Sequence, residues 1–448
     1  MSIYLIYWFF YALRHLIQVA VILSVILFFT ANVFSQNHGG RSNHWHFGTD
    51  ISGYSGFRMN FNGLIPSAIT SSPVFAPGAP ISVSDRHGNL LFFADYDTIY
   101  DASGQMMQNG LISNQPLWSE SRVVLPVPCN QNLYYIFMAT GQLTYTIIDM
   151  SLNGGMGGVV PGQKNITVPG TDSLMPIITA TRHQNNKDYW LLTRKVPGNT
   201  WEARLFSDSG VSASSVNSSI GLSVFSPYNV NFNAAVGQVK FSNSGNKVAF
   251  ANNRERAGLN LCRFYYNPIV CSFNIVFELF DFDRSTGTLT NAITLNHDDS
   301  SFFDWNSHPW GDSGFLRSVE FSPNDSILYA SNQFRIIQYD LSSGHGPTIQ
   351  NTFHIFNGVN QHLQLGPDQK IYIAQNSHLG VLHNPNLFGS NANFISNSIP
   401  LPLNIGWRGL PNLVSDQLIV RTTATQPTAI CEQDTFNLTL NDTNFVDS

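Results

Sequence analysis

The stretch from 296 to 315, NHDDSSFFDWNSHPWGDSGF, gathers His297, Asp298, Asp299, Asp304, Trp305, His308, Trp310 and Asp312 within twenty positions. Indole rings beside carboxylates suit a sugar, which stacks on tryptophan while its hydroxyls donate hydrogen bonds to aspartate. Carboxylates at this density also suit calcium, which takes roughly six to eight oxygen ligands. The competing account is plainer: Trp and Phe pin a long loop to the body of the protein, and the acids are solvated. Asp304, Trp305, His308, Trp310 and Asp312 are the candidate ligand-binding residues, with an extracellular glycan or protein as ligand. No metal and no cofactor is assigned.

A second candidate is His44-x-His46 in SNHWHFGTD. Residues two apart on a strand share a face, a spacing that zinc and copper sites use. No Cys or carboxylate cluster accompanies the pair, and the same alternation sends Trp45 and Phe47 to the other face. A packing strand is the expectation. The chain has no G-x-S-x-G in a strand-turn-helix setting, no phosphate-binding G-x-x-x-x-G-K-[ST] and no H-E-x-x-H. Gly154 to Gly158, GGMGG, lacks the lysine and helix of a phosphate loop and reads as a glycine-rich connection. No residue is assigned a catalytic role, and the chain is expected not to be an enzyme. The alternative is a propeller enzyme acting on extracellular polysaccharide. Such an enzyme needs paired carboxylates or a metal cluster, and only the 297–312 loop offers candidates.

The elements that must position these residues repeat along the chain. VKFSNSGNKVAFAN (239–252), VEFSPNDSILYASN (319–332) and LQLGPDQKIYIAQN (363–376) share one pattern: alternating apolar residues, a Pro/Asn/Asp turn, then an apolar strand. Looser copies start near 81, 125 and 179. Pro323 and Pro367 preset φ at the first corner, and Asn324, Asp325 and Asp368 can bond the backbone across it. Near-continuous apolar second strands imply burial on both faces. Outer strands follow several copies, as in FELFDFDRSTGTLTNAITL and RIIQYDLSSG. Such a unit, recurring every 40 to 80 residues, predicts an all-β, seven-bladed β-propeller over residues 36–420. Six blades centre on 85, 130, 185, 243, 323 and 367. The seventh is closed by N- and C-terminal strands, HWHFGTD and GFRMNF pairing with NFISNSIPL and RGLPNLVSDQL.

Composition agrees with a β-rich, turn-rich chain. Of 448 residues, 13% are aromatic and only 11% charged, against ~25% charged in an average soluble domain. The net charge of −6 and the lack of a basic run exclude nucleic acid as a partner class. Residues 1–35 read as a signal peptide, with Val33 and Ser35 in the small-residue cleavage pattern. Membrane contact is expected only through this segment or surface attachment, and the propeller is expected to be monomeric. An exported chain can form disulfides. Cys262 and Cys271 flank the Asn267-Pro268 turn and are expected to bond to each other, while Cys129 and Cys431 read as unpaired, or paired with something outside this stretch of chain. Residues 421–448 read as a Thr/Pro-rich linker and the truncated start of a β-sandwich-like, Ig-like or PKD-like module.

Nine motifs occur in the order HWHFG, ISVSDRHGNLLFFAD, SLNGGMGGV, HQNNKDYWLLTR, FELFDFDRSTGTLTN, VEFSPNDSILYASN, LQLGPDQKIYIAQN, HNPN and GLPNLV. In this order they resemble the N-terminal propeller of large secreted Bacteroidetes surface proteins. Those proteins end in a type IX secretion, gliding-motility-associated sorting domain. The resemblance covers residues 43 to about 420. It implies an exported, cell-surface protein in which the propeller precedes Ig-like or PKD-like modules. It carries over no catalytic residues. The cysteine-bearing insertion after 252 and the lack of a sorting tail depart from the family pattern.

Overall fold

The structure is a computed structural model. It describes residues 40–47, 56–63, 66–72, 80–95, 97–112, 119–130, 132–224, 237–255, 263–264, 269–270, 273–296, 318–331, 335–344, 346–358, 362–375, 377–401 and 410–414. The signal segment 1–35, the tail 421–448, the loop residues Asp304, Trp305, His308, Trp310 and Asp312, and Cys262, Cys271 and Cys431 lie outside the described residues. Among the described residues no helix is long and apolar enough to cross a membrane.

All six expected hairpins form. Their inner strands are Ile81–Ser84, Arg122–Pro126, Thr179–Arg182, Val239–Phe241, Ser318–Phe321 and Leu363–Leu365, each antiparallel to the apolar strand that follows. Each turn closes with a three-residue-apart backbone bond, from Gly88 to Asp85, Asn130 to Val127, Asn186 to His183, Gly245 to Ser242, Asp325 to Ser322 and Gln369 to Gly366. The donor residue takes positive φ in five of them: 85° at Gly88, 55° at Asn186, 75° at Gly245, 61° at Asp325 and 65° at Gln369. Gly, Asn and Asp bear that conformation most cheaply, so the turn composition seen in sequence has a backbone cause. Further strands extend each hairpin outward, as in the four-stranded sheet Ser318–Phe321, Ile327–Ser331, Arg335–Asp340, Phe353–Asn357.

The inner strands touch one another in chain order, from His44–Phe47 through Ile81–Ser84 round to Leu363–Leu365. Trp45 and Phe47 then share a core with Leu363, Leu365 and Tyr372 of the last sheet, which completes the ring. Successive sheets packed face to face around an axis make this an all-β propeller. On each inner strand alternate residues obey one rule. Val239 and Phe241, Val319 and Phe321, and Leu363 and Leu365 enter the apolar clusters between sheets. Lys240, Glu320 and Gln364 are the residues between them, and all three are buried.

Closure differs from expectation. His44–Phe47 pairs with Gly56–Asn60, and that strand with Ser67–Ser72, in a three-stranded sheet of its own. NFISNSIPL belongs instead to the last hairpin's sheet, where Phe394–Pro400 pairs with His378–Leu382. Residues 410–414 form no strand. Pro411 lacks a ladder donor, and what 410–414 shares with the N-terminal strand is a core, Leu410 and Leu413 packing with Trp45 and Phe47.

Three smaller expectations resolve here. The GGMGG connection runs through left-handed Gly154, Gly155 and Gly157 to Gly158, which pairs in parallel with Gln108 and joins two sheets into one of nine strands. Gly157 takes a φ of 85°, a conformation that strains any residue with a Cβ. Cys129 is disulfide-bonded, which removes the unpaired alternative of its two readings, and its partner lies outside the described residues. The insertion after 252 is the tip of the hairpin between Lys247–Glu255 and Phe273–Asp283, and within it Arg263 pairs with Val270 and Phe264 with Ile269. The next position outward on each of these short strands is a cysteine in the sequence.

Candidate functional site

The polar residues of the inner strands converge on the propeller axis. Gln238, beside the Val239–Phe241 strand, reaches His362 two sheets away, its Nε2 2.9 Å from His362 Nε2. The same imidazole nitrogen is 3.1 Å from Glu120 Oε1, on the opposite side of the ring. Only near the axis can side chains of non-adjacent sheets meet. Gln238 is held in one orientation, because its Oε1 accepts from the Val319 amide at 2.9 Å and from Ser318 Oγ at 2.6 Å. Its Nε2 therefore faces the histidine as a donor.

A second group lies one step along the axis. Lys240 Nζ donates to Gln364 Oε1 at 2.8 Å and to the Leu413 carbonyl at 3.1 Å, and stands 3.7 Å from Glu320 Oε2. Glu320 accepts from the Leu365 and Phe321 amides. Burial pushes the Lys240 ammonium below its ordinary pKa, opposed by Glu320 and Glu120. Burial likewise pushes Glu320 up, opposed chiefly by Lys240. Neither side chain has meaningful contact with solvent, at 0% and 1% exposure.

Residues 410–414 cross this axis. The Leu413 amide approaches Gln364 Oε1 at 3.5 Å and the Asn412 side chain donates to the carbonyls of Arg122 and Ile178. Val414 joins the core between the Arg122–Pro126 and Thr179–Arg182 sheets, while Leu410 and Leu413 join the one on the far side. The segment LPNLV, residues 410–414, thus lies across the axial channel, bonded to sheets around the ring. Lys240, Gln364 and the carbonyls of 122 and 178 hold it there.

His44 and His46 sit on the opposite side of their strand from Trp45 and Phe47, as alternation requires. His44 Nε2 is 3.1 Å from the Gly88 carbonyl. The His46 ring stacks on Phe93, centroids 3.9 Å apart. Burial, then the nearby Arg58 guanidinium, lowers both imidazoles, His46 to about 3. They are packing residues held neutral, and among the described residues no group of three His, Cys, Asp or Glu is arranged to hold a metal ion. The axial residues Glu120, Gln238, Lys240, Glu320, His362 and Gln364 were not singled out by the motif reading. A signal exists nonetheless: in VKFS, VEFS and LQLG a charged or amide residue sits between apolar neighbours at one repeat position.

No family model matches the chain and no curated protein matches it. Among solved structures it is similar to a putative 6-phosphogluconolactonase from Bacteroides fragilis, with 13% identity, a TM-score of 0.47, and coverage of 83% of this chain and 97% of that one. It is also similar to Kuenenia stuttgartiensis hydrazine synthase, at 13% identity and TM-score 0.45, over 75% and 93% of the two chains. A quinonprotein alcohol dehydrogenase-like protein from Bacteroides thetaiotaomicron matches at 10% identity and TM-score 0.37, over 83% and 77%. At this distance none lends its chemistry to this chain.

Proposed function

We propose that this chain is a seven-bladed propeller serving as a non-catalytic binding or scaffold module of a secreted, cell-surface protein. Seven inner strands succeed one another around the axis, with Leu410 and Leu413 packing where the first sheet meets the last. The observation that carries the reading is the commitment of the axis. The charged and amide groups of the channel bond to one another and to Leu413, so they are engaged in holding the ring. Binding then falls to the rim, and the 297–312 loop is the candidate surface for a glycan or protein. Export and surface display rest on the signal-like N-terminus and the sequence resemblance.

The test sets the purified chain against plant, algal and cell-envelope polysaccharides, reading both new reducing ends and array binding. Binding without turnover supports a module. Turnover by the wild type that Glu320→Gln abolishes, with the fold intact by circular dichroism, would overturn it and make the axis an active site. Protease shaving of intact source cells checks surface display: protection of the propeller from added protease would refute it.

A further inference from the structure

Apolar clusters fill the junctions between successive sheets, with one exception among the described residues. Between the His44–Phe47 sheet and the Ile81–Ser84 sheet the only fully buried apolar residue is Phe93, with Leu90 and Tyr100 beside it. The rest of that junction is polar. His44, His46 and Arg58 face it from the first sheet, since His46 and Arg58 are cross-strand partners and His46 stacks on Phe93. Ser82, the cross-strand partner of Phe93, and Ser84 face it from the second.

The donors here lack acceptors. Ser42 Oγ, Ser82 Oγ, Ser84 Oγ and Arg58 Nε are buried without a hydrogen-bond partner. The three serines are at most 4% exposed. The nearest carboxylates are committed to their own turns: Asp85 accepts from the His87 and Asn89 amides and the Asn89 side chain. Asp95 accepts from the Asp97 and Thr98 amides and the Tyr100 hydroxyl. The two histidines report the same balance, for Arg58 lowers both and, among the described residues, no carboxylate raises either. Buried hydroxyls and guanidinium groups without counter-charge are costly unless something accepts from them. Arg58 is only half-buried, which leaves a route from solvent.

We propose that the junction between the first two sheets binds a small oxyanion (phosphate, sulfate or a carboxylate) through Arg58 and the hydroxyls of Ser82 and Ser84. The guanidinium supplies charge and forked donors that match an oxyanion, and the serines supply buried neutral donors. This site is separate from the 297–312 loop and does not depend on the glycan reading.

Melting temperature is measured for the full chain at constant ionic strength, with inorganic phosphate, inorganic sulfate or glucuronate replacing chloride. A saturable rise of several degrees in at least one series is expected, because a ligand of the folded state stabilises by mass action. Glucuronate acting alone would point to an acidic sugar; phosphate or sulfate acting alone would point to the inorganic ion or its esters. Arg58→Gln, and separately the pair Ser82→Ala with Ser84→Ala, should abolish the saturable rise. Lys187→Gln, the same charge change at an exposed site, should retain it. Should Arg58→Gln fail to fold, the serine pair decides. No saturable rise with any anion, or a rise that the serine pair and Arg58→Gln both keep, would mean an adventitious ion only and overturn the proposal.

Discussion

Acidification should strip stability from this protein through His46 in a calculable way. Its imidazole pKa falls from 6.5 to about 3, first from burial and then from Arg58 and His44. With the folded value below the unfolded one, the unfolded chain binds the proton first. The contribution is therefore complete above pH 6.5 and is lost as pH falls from there toward 3. Each pH unit in that window costs about 1.4 kcal/mol, so about 3 kcal/mol is lost between pH 7 and pH 4. Carboxylates titrate over the same range, so the wild type alone is not decisive. His46→Leu, close in volume, removes the titrating group and leaves the carboxylates. Urea unfolding of both proteins at intervals from pH 7 to 4 gives two stability curves, whose difference cancels the fixed cost of lost stacking on Phe93. That difference should shrink or reverse by about 3 kcal/mol toward pH 4. Parallel curves would refute the reasoning, as would a folded-state imidazole resonance titrating near 6.5.

Lys240→Met leaves the Glu320 carboxylate buried without its cation and should cost about 3–5 kcal/mol by urea unfolding; combining it with Glu320→Gln should restore much of the loss. Asp325 caps the neighbouring hairpin, accepting from the Asn243 and Ser244 amides at 2.7 Å, so Asp325→Ala should cost about 2–3 kcal/mol. Asp325→Asn, which keeps an acceptor and tolerates the positive φ of 61°, should cost less. Peptide mapping without reductant should find Cys262 linked to Cys271, and Cys129, bonded in the structure, linked to Cys431; a Cys129 link to either of the first two would refute both. Trp305→Ala and Trp310→Ala should abolish array binding with melting temperature unchanged, whereas a drop in melting temperature and no ligand for the wild type would mean that these rings only pack.

The hairpins were legible because their causes are local. Side-chain alternation with period two, turn residues that bear positive φ, and apolar second strands each operate within about fifteen positions, and all six copies form where the repeat placed them. The His44-x-His46 question was also half answered in sequence, since alternation alone puts Trp45 and Phe47 on the opposite face. What alternation cannot say is which sheet each face meets. Only the closed ring shows that the polar side of that strand meets Phe93 and the serines of the second sheet, with Arg58 beside it. The axial network is tertiary in the same sense. Lys240, Glu320 and Gln364 repeat at one position of three hairpins, but their partners lie 80 to 173 residues away in the chain. The sequence marks them as polar on a buried strand; the curvature of the ring decides that they meet. The C-terminal segment was misjudged for a related reason. GLPNLV has the apolar pattern of a strand, yet Pro411 withholds a donor and the axis offers it side-chain partners, Lys240 and Gln364, in place of a ladder. Local pattern sets which residues are extended, and long-range closure sets what each of them touches.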